Sequence, residues 1–219
     1  AFSAAGGFSV TGSQPLLEGV NYFFLTYDVT AGAPTGDVID GVLTGVQIGS
    51  GAVSSIPAAT GNPAGNRPIL GPLAGSYTVG YELGTENYPS LTAAVADLVG
   101  RGVATGQSVT FTLTNPGATK PYDATTAASA ANQETFPLVI PAVALGTGQT
   151  LRIVPASGIT PLISGSVASA GGGLLILDGT DYLSIDGTSG TAGARTITIR
   201  NTGSGAAVLL RNDATYNSL

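Results

Sequence analysis

The 219-residue chain is 43% hydrophobic, enough to bury a core in one domain or two, yet only 9% of it is charged, against about 25% in an ordinary soluble domain. A formal net charge of -6, with seven Lys and Arg in all, leaves no counterion-releasing patch and excludes a nucleic-acid partner. With neither Cys nor His there is no disulfide framework, no Ser-His-Asp or Cys-His arrangement and none of the usual zinc ligands, and no run reaches the roughly 18–20 apolar residues of a membrane span, so no membrane insertion is expected.

Thirty-three Gly and 13 Pro punctuate short segments rich in Val, Ile, Leu, Thr, Phe and Tyr, which is an all-β composition. The first module spans residues 1–48. In 22–29 the alternate residues Phe23, Leu25, Tyr27 and Val29 are apolar while Thr26 and Asp28 face the other way, the period of a half-buried strand. After a break at 31–36, which contains Pro34, a second strand is expected over 38–48 with Val42, Val46 and Ile48 on one face. Together these read as part of a small antiparallel sandwich. The aromatic set Tyr22, Phe23, Phe24 and Tyr27 reads as sandwich core, the alternative being a glycan-binding face. Residues 49–75, with Pro57, Pro63 and Pro68 among Gly, Ser and Ala, read as a linker.

A strand over 76–83 puts Tyr77, Val79, Tyr81 and Leu83 on one face. The one helix of the chain follows: Ser90 is its N-cap, Leu91, Ala94, Val95, Leu98 and Val99 recur at helical spacing, and Gly100 or Gly102 stops it. A helix that leads into a long run of strands suits a cover over the open end of stacked coils. Strands are then expected at 109–113, 136–140, 151–154, 162–164, 174–177, 183–185, 196–199 and 208–210. Leu151, Leu174 and Thr196 open three of these about 22 residues apart, and Leu162, Leu183 and Val208 open an interleaved series, so two strand series are expected to stack as parallel coils. An antiparallel sandwich is the alternative topology. Asp178-Gly179, Asp186-Gly187, Arg200-Asn201 and Arg211-Asn212 mark the corners, since Asn, Asp and Gly tolerate left-handed backbone and bond their own turns.

The densest acidic group is Asp178, Asp181 and Asp186. Three carboxylates in a short span are a calcium candidate, because calcium takes hard oxygen ligands, but the segment lacks the Asp-x-Asp spacing of a calcium loop and Asp-Gly is itself a corner signal. No other cofactor is expected. Asp178 and Asp186 near Arg195, Arg200 and Arg211 read either as an acid and base pair with a carboxylate clamp or as coil-to-coil salt bridges. Gly171-Gly172-Gly173 lacks the Lys and Ser/Thr of a phosphate loop and reads as a flexible loop.

Residues 19–29 (Gly-Val-Asn-Tyr-Phe-Phe-Leu-Thr-Tyr-Asp-Val), 36–40 (Gly-Asp-Val-Ile-Asp) and 62–67 (Asn-Pro-Ala-Gly-Asn-Arg) resemble a module common in large secreted surface proteins of Bacteroidetes bacteria. Residues 75–79, 88–98 and 109–113 look like the start of the pectate-lyase-like parallel β-helix that often follows it, and 165–168 and 181–187 continue the likeness. The resemblance implies export by the type IX secretion route and a role as adhesin, filament or cell-surface coat; it carries no catalytic residues.

The expected fold is therefore all-β: an N-terminal sandwich-like module over 1–48, a linker over 49–75, and a right-handed parallel β-helix with an N-terminal capping helix over 76–219. Ala1 opens inside a β pattern without a Met and Leu219 falls within a running repeat, so the sequence reads as a processed or partial piece of a longer protein. The expected function is that of a secreted structural or adhesive protein, a rigid rod or filament subunit and not an enzyme, that associates head to tail or with other surface proteins or glycans. The alternatives are a polysaccharide lyase or hydrolase on the same scaffold and a glycan-binding module without turnover.

Overall fold

Short apolar strands separated by Gly and Pro give the architecture of a computed structural model that describes residues 15, 17–20, 33–47, 49–55, 61, 65, 67–145, 148–188 and 194–219. Contacts divide the chain into two units, Ala1–Pro34 and Thr35–Leu219, and every element named below belongs to the second. The strand expected over 22–29, its aromatic set Tyr22, Phe23, Phe24 and Tyr27, and Ile48 lie outside the described residues.

Among the described residues of 35–70 are four two-residue strands in two antiparallel pairs, β1 (Val38–Ile39) with β4 (Arg67–Pro68) and β2 (Gly45–Val46) with β3 (Ser54–Ser55). The single strand expected over 38–48 does not form. Gly41 and Gly45 weaken a continuous strand, and Val42 and Val46 stay 49% and 40% exposed where a shared buried face was expected. The stretch read as a linker supplies β3 and β4, which fold back onto β2 and β1.

Strand β5 (Gly75–Val79) is shorter than expected. The chain leaves the ladder at Gly80, where the Tyr81 amide donates to Asn115 Oδ1 (2.8 Å) and the Leu83 amide to Glu86 Oε1 (2.8 Å), so Leu83 ends 65% exposed instead of sharing the face of Tyr77 and Val79. Helix α1 (Leu91–Arg101) begins and ends where its caps dictate. Ser90 Oγ accepts from the Ala93 amide at 3.2 Å, and Gly102 takes φ 66°, a left-handed stop that lacks the steric penalty of a side chain. Leu91, Ala94, Val95 and Leu98 are buried; Val99, expected on that stripe, lies at its margin and is 54% exposed.

From here the strands are parallel. The first ladder runs in spatial order from β5 through β6 (Val109–Leu113) and β8 (Leu151–Pro155) to β11 (Leu183–Ile185). The second joins β9 (Leu162–Gly165) to β12 (Thr198–Asn201), with Tyr122 bridged to Ile163 on the other side of β9. The third places β10 (Gly173–Asp178) between β7 (Leu138–Pro141) and β13 (Ala206–Arg211). From β6 onward the chain visits them in one cyclic order: β6, Tyr122, β7, then β8, β9, β10, then β11, β12, β13, and back to the first ladder at Ser218, which bridges Ser184.

Register then decides what stacks. Val109, Leu151 and Leu183 lie in line, as do Phe111, Ile153 and Ile185, and Leu138, Leu175 and Val208. All but Val208 are buried, and they form one core with the apolar face of α1. The interval of about 22 residues is corrected by this register. Leu151, Leu174 and Thr196 do not stack: Leu151 belongs to the first ladder, Leu174 to the third, and Thr196 precedes β12 of the second. Leu162, Leu183 and Val208 likewise fall on three different ladders. Leu151 pairs with Leu183, 32 residues on, and Ser184 with Ser218, 34 residues on. Twenty-two residues cover two strand steps, whereas a return to the same ladder takes three.

The stacked register predicts a sharp contrast between apolar sites. Leu151→Ala, between Val109 and Leu183 and fully buried, is expected to lower the unfolding free energy by about 2–5 kcal/mol in urea titration. Leu83→Ala, on the exposed turn, should change it by no more than about 0.5 kcal/mol. Equal losses at the two sites would contradict the assignment of interior and surface.

Candidate functional site

The three aspartates singled out by sequence sit at the corners between ladders, and the structure gives each its own partners on a neighbouring coil. Asp178 ends β10 and accepts from the Arg211 guanidinium at 2.8 Å and from the Asn212 side-chain amide. Asp181 Oδ1 accepts from the Thr215 amide and hydroxyl, both at 2.7 Å. Asp186 follows β11 and accepts from Thr188, hydroxyl at 2.7 Å and amide at 3.0 Å, and from the Arg152 guanidinium at 2.8 Å. Each of the three carboxylates thus accepts from donors of its own, and among the described residues no three acidic groups converge as metal ligands.

These partners also set protonation. Arg211, then Asn212, hold the Asp178 carboxyl below the usual range; the Thr215 hydroxyl and amide do so for Asp181; Thr188, with a smaller contribution from Arg152, does so for Asp186. A carboxylate held ionised by donors is a poor general acid, so the pairing of Asp178 with Asp186 resolves into two coil-to-coil ion pairs, Asp178 with Arg211 and Asp186 with Arg152. Arg200 points its Nε to Ser164 Oγ at 3.4 Å, again across coils, and Arg195 lies beside the recess formed by Ile185, Ile197, Ile199, Val208 and Leu219. Gly171, Gly172 and Gly173 are not a loose loop. They close a 3-10 turn and open β10, where a Cβ at Gly173 would meet Leu209 Cβ at 2.9 Å.

Four polar anchors carry more of the geometry, and sequence reading missed all of them. Glu134 is 3% exposed and accepts from the Leu91 amide (2.7 Å), the Thr92 amide (2.8 Å) and the Thr92 hydroxyl (2.6 Å), satisfying donors that the first turn of α1 leaves open. Burial pushes its carboxyl above the ordinary value while these three bonds pull it back. Tyr122 is 1% exposed; its hydroxyl donates to the Val79 carbonyl at 2.6 Å and accepts from the amides of Thr114 (3.0 Å) and Asn115 (3.1 Å). Asn201 clamps the Val167 backbone by accepting from its amide at 2.8 Å and donating to its carbonyl at 2.9 Å, and Asn217 accepts from the Leu183 amide and donates to the Thr180 carbonyl, both at 2.8 Å.

One further pair stands out at the corner between the third and first ladders. The rings of Tyr182 and Tyr216 stack at 4.9 Å between centroids and 5° between planes. Both residues have positive φ, 54° and 55°, a conformation that opposes a bulky side chain by about 1–2 kcal/mol each.

Comparison with protein-family models, curated proteins and solved structures finds no match for this chain.

The lowered carboxyls fix the acid limb of stability. A group whose folded value lies below its unfolded one, about 3.9 for Asp, stabilises the fold above that value and ceases to as pH falls through the folded value. Glu134, raised, works in the opposite sense, since its contribution is present below the unfolded value and lost as pH rises through the folded one. Urea stability should therefore fall as pH drops below about 4, and the triple variant Asp178→Asn, Asp181→Asn, Asp186→Asn should show a flatter fall. Tyr122→Phe should lose about 1–3 kcal/mol at any of these pH values, because it strands the buried Asn115 amide and removes one of the donors on the Val79 carbonyl, which keeps the Thr114 amide and hydroxyl; an unchanged midpoint would show that the Asn115 amide is satisfied elsewhere.

Proposed function

We propose that residues 76–219 form a right-handed parallel β-helix, capped at its N-terminal end by α1, in a secreted cell-surface protein whose role is structural or adhesive. The observation that carries this reading is the cyclic order in which the chain revisits three parallel ladders, with interior Leu, Ile, Val and Phe in line from coil to coil. Stacked coils satisfy their backbone groups along the stack, so stiffness rests on hydrogen-bond ladders and an aliphatic interior, with no need of disulfides.

Surface chemistry supports the same reading. With 9% charged residues the exterior is largely Thr, Ser, Gly, Ala and Asn, a composition suited to a coat, rod or filament subunit. The acidic corners are engaged in holding coils together. Export by the type IX route, and partnership with other surface proteins or glycans, follow from the resemblance to Bacteroidetes surface modules.

Antibody labelling of intact cells of the encoding organism tests the location directly. The proposal expects labelling without permeabilisation and loss of the signal after external protease; labelling confined to lysed cells would overturn it.

A further inference from the structure

We propose that the segment Asn87-Tyr88-Pro89 is a built-in stop that closes the edge of β5 to strand addition, so that copies of this chain do not join through that edge. Such a stop narrows the structural role proposed above, because a head-to-tail joint between coils would need this edge, yet its geometry holds whether or not the chain is exported.

Strand β5 is the last of its ladder, with β6 on one side only. The Gly75 amide donates to the Ser108 carbonyl (2.9 Å) and the Val79 carbonyl accepts from the Thr114 amide (3.0 Å), so Gly75, Tyr77 and Val79 serve β6. In a parallel strand the residues between them turn their amides and carbonyls the other way, which sets Ser76, Thr78 and Gly80 along the free side. An open row of that kind is a template for another chain. Here most of it is taken. The Thr78 amide donates to Asn87 Oδ1 at 2.8 Å, the Thr78 carbonyl accepts from the Tyr88 amide at 3.1 Å, and the Gly80 amide donates to the Tyr88 carbonyl at 2.9 Å. Among the described residues nothing bonds the outward backbone groups of Ser76, which is exposed.

The segment that takes these groups offers no donors in their place. Tyr88 commits both its amide and its carbonyl to β5, Asn87 turns its own amide back to Thr78 Oγ1 at 3.1 Å, and Pro89 has no N–H. Its outer side therefore presents no amide to an incoming strand, and from Ser90 the chain coils into α1. Packing fixes the segment in place. The Tyr88 ring lies 5.7 Å from that of Tyr77 and edge-on to Phe111 at 5.9 Å, and its hydroxyl donates to the Asp97 carboxylate at 2.5 Å. Asp97 is held in turn by Arg101, whose Nε donates to the Gly71 carbonyl at 2.7 Å. Strand edges are blunted by a proline or covered by a helix; this one carries both, and adds a side-chain amide oxygen where a further strand would put its carbonyl.

Sedimentation velocity over a range of concentrations compares the whole chain with its variants, so that association through any other face is common to all of them. Asn87→Ala with Tyr88→Gly removes the side-chain acceptor and the ring that pins the segment, and should self-associate at least about tenfold more tightly than the parent. Adding Ser76→Lys, which puts a charge on the opened edge, should restore the parent's behaviour. Asn87→Ala alone keeps the Tyr88 packing and so guards against a double variant that fails to fold: its Thr78 amide should exchange with deuterium at least about tenfold faster than the parent's, with the Gly80 amide unchanged. A folded double variant no more associated than the parent, association that survives Ser76→Lys, or a Thr78 amide unaffected in Asn87→Ala would each overturn the proposal. Antibody labelling that places the chain inside the cell would remove the surface role and leave this stop standing.

Discussion

Parallel pairing at fixed register is the constraint on which the rest of the structure depends. A parallel strand cannot be reached by a tight turn, so every rung commits the chain to a long excursion, and from β6 onward this chain uses each excursion to supply the next rungs of two other ladders. Because side chains alternate along a strand, the register that aligns Val109, Leu151 and Leu183 also fixes Thr110, Arg152 and Ser184 on the opposite face. The exterior ion pairs then arise at the matching corners, Arg152 with Asp186 and Arg211 with Asp178, 34 and 33 residues apart. They follow from the stacking, and the stacking does not need them.

Much of this was legible in the sequence because strands and the helix are local events. The apolar alternation at Val109, Phe111 and Leu113 gives a strand with the bounds expected of it, and Ser90 and Gly102 cap the helix as their residue types require. The fold class, mostly strands among the described residues, followed from composition. Register was not legible. Strand starts recur about every 11 residues, so an interval of 22 and one of 33 fit the pattern of apolar runs equally well, and only the hydrogen-bond partners distinguish them. The start of the chain's second unit escaped for a related reason: two-residue strands such as Gly45–Val46 have too few residues to display a period.

The polar anchors were hidden for a different cause. Glu134 caps a helix whose first residue lies 43 positions earlier, and Tyr122 bonds a carbonyl equally distant in sequence, so neither has a local signature. Asn201 was read as a corner and Asn217 was not singled out, yet their amides act across coils as substitutes for a backbone strand pair. The aspartate cluster misled in the other direction. Closeness along the chain suggested convergence, but a corner turns successive side chains toward different neighbours, and each carboxylate found its own donor. Tyr182 and Tyr216 were unremarked because a left-handed tyrosine leaves no trace in composition; it becomes visible only as a backbone angle.

The most direct test of the account is the coil register itself. The chain has no native Cys, and adjacent strands lie about 4.8 Å apart, within reach of a disulfide between residues in register. In the double variant Ser184→Cys with Ser218→Cys, mild oxidation should close an intramolecular disulfide, read by peptide mass mapping, whereas Ser184→Cys with Ala206→Cys, offset by 22 residues, should stay reduced. Closure of the second pair in place of the first would contradict the three-ladder coil.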